Sequence, residues 1–269
     1  MENINVGFIG GGNMTAAIVS GVVKNRTFPA QQIYVFDIHE EKRESLRQKA
    51  GILTADSAYD LVKTCNIIFL AVKPQSFPSM LDEIRPAVGK DKTFVSIAAG
   101  ITSASISEAL LCDCPVIRAM PNTPLMLGKG ATAVCRTGNV PDDIYRLVLK
   151  LFSSCGMVAQ IDESQMNAVI SVNGSSPAYL YLFAKAVLDS AEKQGIQPSV
   201  SLPLFCQTLV GSAEMLLKSG NTPDELIQKV SSRGGTTIAA LNVLEKNHFE
   251  QMIDEAMKAC TARAEELGK

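Results

Sequence analysis

This sequence is short of net charge, of histidine and of long apolar runs, and each shortage removes a class of function. Its formal net charge is −2. It therefore lacks the basic footprint by which proteins neutralise nucleic-acid phosphates. Its two histidines, His39 and His248, stand among charged or polar neighbours. They read as surface residues, and no metal site can be assembled from them. The longest apolar stretches, such as residues 67–72, are far too short to cross a bilayer, so no membrane partner is expected. The first residues lead straight into a strand, without a charged region followed by an apolar one, so no secretory signal is expected. The seven cysteines (Cys65, Cys112, Cys114, Cys135, Cys155, Cys206 and Cys260) are odd in number and scattered. Cys112 and Cys114 are too close for a zinc knuckle. All seven read as reduced thiols of a cytoplasmic protein, several of them in the core.

What is present is a chain of 269 residues, 46% hydrophobic and 19% charged. That suits one or two globular domains with a sizeable core. Up to about Ile161, strand and helix signals alternate. Strands are predicted at 4–9, 33–37, 66–71, 93–98, 115–119, 131–135 and 156–161. Helices are predicted at 13–24, 40–50, 57–63, 76–88, 103–110 and 141–154. Continuous apolar strands such as Ile67-Ile68-Phe69-Leu70 imply burial on both faces, hence a parallel sheet covered by helices. After residue 163 the alternation stops, and helices are predicted at 164–194, 199–219, 223–230, 236–245 and 248–267. The expectation is an α/β protein. Residues 1–163 form a Rossmann-type, doubly wound, mostly parallel sheet, and residues 164–269 form an all-helical domain for substrate binding and dimerisation.

The first turn organises the chain. Gly10-Gly11-Gly12 follows a strand and opens a helix at Asn13-Met14. Gly10 permits the turn, Gly12 lets a pyrophosphate approach the backbone, and the helix start offers free N–H groups. The usual third small residue is here the larger Thr15. Asp37 ends the second strand, where a carboxylate meets the ribose hydroxyls of NAD. Its alternative reading is a helix cap. His39, Lys42 and Arg43 stand close enough in sequence to receive a 2′-phosphate instead. Three later strands end in marked loops: Ala71-Val72-Lys73-Pro74, Ala98-Ala99-Gly100 and Pro121-Asn122. Lys73 can meet a cofactor phosphate, and the small residues of the second loop let a flat ring lie against the backbone. In the helical half, Ser231-Ser232-Arg233-Gly234-Gly235-Thr236-Thr237 precedes a helix and builds a second anion site, suited to a substrate carboxylate. Residues 172–179, with Pro177, read as a helix break able to line a cleft.

These motifs, together with Pro177-Ala178-Tyr179 and the long pattern from Pro223 to Glu245, resemble pyrroline-5-carboxylate reductase. The resemblance implies NADP(H) or NAD(H) held by Gly10, Gly12, Asn13, Met14, Asp37, Ala71, Val72, Lys73, Pro74, Ala98, Ala99, Gly100, Pro121 and Asn122. It implies pyrroline-5-carboxylate held by Ser232, Gly234, Gly235, Thr236 and Thr237, with Thr237 at the reacting nitrogen. It also implies an interlocked dimer, or a higher assembly of dimers. Thr15, Asn173 and Ser176 depart from the family pattern. Two other readings are a non-catalytic NAD(P)-sensing regulator and a β-hydroxyacid dehydrogenase-like enzyme. The latter uses a lysine that residues 164–176 lack.

Overall fold

The computed structural model describes residues 4–268. In chain order its elements are β1 (Val6–Ile9), α1 (Asn13–Lys24), β2 (Ile33–Phe36), α2 (Glu40–Ala50), β3 (Leu53–Thr54), α3 (Ala58–Thr64) and β4 (Ile67–Leu70). Then come α4 (Phe77–Ile84), β5 (Thr93–Ser96), α5 (Ser103–Leu110), β6 (Val116–Met120), β7 (Gly130–Arg136), α6 (Asp142–Ser153) and β8 (Gly156–Gln160). The helices α7 (Ser176–Lys193), α8 (Pro198–Lys218), α9 (Pro223–Lys229), α10 (Thr236–Lys246) and α11 (Phe249–Leu267) follow.

The sheet runs β3-β2-β1-β4-β5-β6-β7-β8. Every pair is parallel except β6 with β7. Winding reverses between β1 and β4, and in such folds ligands bind beyond the carboxyl ends of strands at that point. The pleat sends alternate residues to two separate cores. Phe8 and Phe69 stack at 4.4 Å beside α1 and α6. Ile9, Ile68 and Leu70 pack instead on α3, α4 and α5 through Leu61, Phe77, Leu81 and Ile106. All four β4 side chains are therefore buried, as the apolar run predicts.

The chain forms two compact units. One holds the residues up to Pro177 together with those from Lys258 onward, and the other holds Ala178–Met257. The sequence reading divides the chain at 163 instead. Three hydrogen bonds tie Glu163 into the first unit. The Glu163 carboxylate accepts from the Ser103 amide at 2.9 Å and hydroxyl at 2.5 Å, at the start of α5. It also accepts from Arg118 Nη1 at 3.1 Å. Arg118 is buried in β6. Burial pushes the Glu163 carboxyl up, but the Ser103 hydroxyl and amide and then Arg118 outweigh it, holding the group below its ordinary range. Met166 and Ile170 then pack with Met120, Ala133, Cys135 and Ala264 in a third cluster.

Other differences have local causes. β3 is two exposed residues and carries no apolar run. α4 stops at Ile84 because Pro86 cannot continue it, and a short 3-10 turn, Arg85–Ala87, takes over. The single helix expected at 164–194 becomes a 3-10 turn, a π-helical stretch at Ile170–Gly174 and then α7. Pro177 lies in the first turn of α7, where its missing N–H costs nothing, rather than breaking a helix. By length and composition alone, the 21 residues of α8 would be long and apolar enough to span a bilayer. No unbroken apolar run marks it, because Gln207, Thr208, Ser212 and Glu214 interleave with its apolar residues and Pro203 lies inside it.

Candidate active site

The carboxyl ends of β1, β2 and β4 meet around the glycine turn. Gly10 has φ +105°, and a Cβ there would stand 2.5 Å from the Ala71 carbonyl. Only glycine turns the chain here without strain. Its amide donates to the Phe36 carbonyl at 2.7 Å, and the Ala71 amide donates to Ile9 at 2.8 Å. Thr15, which takes the place of the expected small residue, is buried and donates its hydroxyl to the Gly10 carbonyl at 2.6 Å. It ties the turn down instead of loosening it. Around Gly12 a Cβ would meet nothing within 4 Å. α1 begins there with no side-chain cap, so its first amides are open to an anion.

Asp37 follows β2. One carboxylate oxygen accepts the Gly11 amide at 2.7 Å and the other accepts the His39 amide at 2.9 Å. α2 nevertheless has no side-chain cap at its start. Lys42 Nζ lies 3.6 Å from the same carboxylate.

These groups line a cleft of about 490 Å³ together with Ala71, Val72 and Lys73. Gly10, Gly12 and Asp37 line it too. Asn13 and Met14 form the first turn of α1, and Met14 packs on the core. Pro74 starts a 3-10 turn directly after Lys73. Ser76, Ser79, Met80 and Glu83 also line the cleft, and the sequence reading does not name them. Their spacing of three, four and seven is one helical face, the signal that would have found them.

The remaining first-unit candidates lie at the ends of β5 and β6. Ala98 is buried in the second core and Ala99 packs on the third cluster. Gly100 has φ +82°, and its Cβ direction is filled by the last turn of α11, with the Ala264 carbonyl 2.4 Å away. A ring resting on this loop must use its other side. Pro121 and Asn122 are buried. The Asn122 side chain accepts from the Ala131 amide at 2.9 Å and donates to the Asn173 carbonyl at 3.1 Å. Asn173 donates in turn to the Met120 and Ala131 carbonyls at 2.7 and 2.9 Å. This departing residue thus clamps β6 and β7 onto the π-helical stretch. The Ser176 hydroxyl donates to the Val172 carbonyl at 2.6 Å.

The substrate candidates belong to the second unit. The Gly235 amide donates to the Ser232 carbonyl at 2.9 Å. Gly234 has φ +73°. Gly235 precedes α10, which opens on Thr236 and Thr237 with no side-chain cap. Backbone amides at this start are therefore free of side-chain acceptors, which suits a small carboxylate. Among the described residues, no group of three or more His, Cys, Asp or Glu side chains could hold a metal ion. All seven cysteines are free. Burial pushes the Cys65 and Cys114 thiols up to about 12 and Cys135 to about 11, so these buried thiols are poor nucleophiles.

Comparison with known proteins gives this geometry its family. A family model described as pyrroline-5-carboxylate reductase dimerisation matches residues 163–267, and one described as NADP oxidoreductase, coenzyme F420-dependent, matches residues 5–100. The pyrroline-5-carboxylate reductase of Escherichia coli K12 is 38% identical over 264 residues, covering 98% of each chain. That of Methanosarcina acetivorans is 33% identical over the whole of both chains. The crystal structure of the Plasmodium falciparum pyrroline carboxylate reductase with NADP bound superposes with a TM-score of 0.91 at 30% identity, covering all of both chains. The Coxiella burnetii enzyme gives 0.89 at 31% identity, covering 99% of each. With likeness running the whole length of both partners, this chain belongs to the pyrroline-5-carboxylate reductase family.

Proposed function

We infer that this chain reduces the C=N bond of 1-pyrroline-5-carboxylate with NAD(P)H to give proline, the last step of proline biosynthesis. The observation that carries the reading is the 38% identity across 98% of both chains. It spans the glycine turn and the Ser232–Thr237 turn together, so neither half is shared without the other.

The first-unit cleft fits a dinucleotide. The open side of Gly12 and the uncapped start of α1 supply the space and the donors that a pyrophosphate needs. Asn13 and Met14 contribute first-turn amides, Lys73 adds a positive charge, and Asp37 meets the ribose. Ala71, Val72 and Pro74 would shape the wall, and Ala98, Ala99, Gly100, Pro121 and Asn122 would hold the nicotinamide end. The bound cofactor supplies the hydride. Ser232, Gly234, Gly235 and Thr236 hold the substrate carboxylate, and Thr237 hydrogen-bonds the ring nitrogen. A threonine hydroxyl is too weak an acid to protonate that nitrogen efficiently. The imine therefore binds already protonated, or water delivers the proton while Thr237 orients it. Positioning of two flat rings carries much of the rate.

The active form is a homodimer or an assembly of dimers in the cytoplasm. The dimerisation match at residues 163–267 supports this. So do the exposed Leu182, Phe183, Leu204, Leu216 and Val243 of the second unit, which a second subunit would cover. Seven unpaired cysteines suit a reducing compartment. The test is an absorbance assay in which purified protein oxidises NADH or NADPH only when pyrroline-5-carboxylate is added. Oxidation of neither would overturn the reductase in favour of a sensor. Sedimentation measures the assembly.

A further inference from the structure

We propose that the end of β2 makes this chain selective for NADH over NADPH, with Asp37 as the specificity-determining residue. This rests on the reductase reading above. Asp37 is buried, and both its oxygens are held in place by the Gly11 and His39 amides. A carboxylate has about four acceptor positions, and two remain for the 2′- and 3′-hydroxyls of an adenosine ribose. A 2′-phosphate brought to the same place meets a fixed negative charge that cannot swing away without releasing the glycine turn.

Three basic side chains near the end of β2 already have partners, and Lys73 is a fourth on the cleft wall. Lys42 pairs with Asp37 itself at 3.6 Å. Arg43 donates to the Ala55 carbonyl at 3.3 Å, and its guanidinium lies 5.7 Å from the centre of the Phe36 ring. His39 Nδ1 lies 3.8 Å from Glu41. Glu40 and Glu41 also occupy the first turn of α2, so the positive end of that helix is already answered by two carboxylates. Glu83 adds a further carboxylate to the cleft wall. The Plasmodium falciparum relative binds NADP on the same fold. The fold therefore accepts a 2′-phosphate, so selectivity in this chain has to come from the residues at the end of β2.

The test is direct titration of NADH and NADPH into the full-length protein, followed by fluorescence or calorimetry without substrate. The expected dissociation constant is at least about tenfold lower for NADH. Asp37→Asn keeps an acceptor for the Gly11 amide while removing the charge, and should shrink or reverse that ratio, chiefly by tightening NADPH. Equal or tighter NADPH binding by the unaltered protein would overturn the proposal, as would an unchanged NADH-to-NADPH ratio in Asp37→Asn. Those results leave the reductase reading standing when NADPH is oxidised with pyrroline-5-carboxylate. Failure of both dinucleotides to react with substrate would remove the reductase reading instead.

Discussion

The two glycine turns that open α1 and α10 offer the same chemistry and are built in opposite ways. At Gly10–Gly12 the backbone is held from three sides: by the Phe36 carbonyl, by the Asp37 carboxylate and by the Thr15 hydroxyl. At Ser232–Gly235 the turn is closed by the Gly235 amide on the Ser232 carbonyl, and a Cβ on Gly234 would meet nothing within 4 Å. The first is over-determined by a parallel sheet. The second is a local turn that leaves its donors in the open. A dinucleotide needs one fixed cradle for a large, constant ligand. A small acid that must enter and leave at every turnover is better served by a turn with few competing partners.

Substitutions can break or sharpen this contrast. The largest effect is expected for Gly10→Val, which adds left-handed strain and a collision with the Ala71 carbonyl. It should cost about 3 kcal/mol of stability in thermal denaturation and abolish dinucleotide binding. Retained binding would show that the first turn is less constrained than its geometry states. Thr237→Ala should slow turnover by roughly 100-fold, with cofactor affinity and melting temperature unchanged. A loss of cofactor affinity in that variant would remove Thr237 from the proposed substrate site. The smallest effect belongs to Thr15→Ala, which removes the bond to the Gly10 carbonyl in a buried site. It should lower stability by about 1–2 kcal/mol and weaken dinucleotide binding by less than tenfold. An unchanged melting temperature would show that the third restraint is redundant.

The same contrast governs what could be read from the sequence. Alternating apolar strands and amphipathic helices announce themselves locally, so the succession of strands and helices and the glycine turn were legible. The link from Gly11 to Asp37 was not, because it joins the ends of two different strands through a carboxylate whose alternative reading is a plain cap. Asn122 and Asn173 were legible as polar loop residues, whereas their joint role in clamping β6, β7 and the π-helical stretch depends on pairing across more than 40 positions. Ser76, Ser79, Met80 and Glu83 carried a readable helical spacing, but their common face acquires meaning only once β4 points it at the cleft. In the second unit, helix positions followed from periodicity. What covers their exposed apolar faces does not follow from that periodicity.

Gly100 carries a further consequence. The place where its side chain would stand is occupied by the closing turn of α11, and Gly268 is equally tight against the Gly100 carbonyl. Two stretches far apart in the chain therefore constrain each other's side chains. A lineage that gained a side chain at position 100 would have to reroute its final helix in the same step, and one that rerouted the helix would free position 100 to vary.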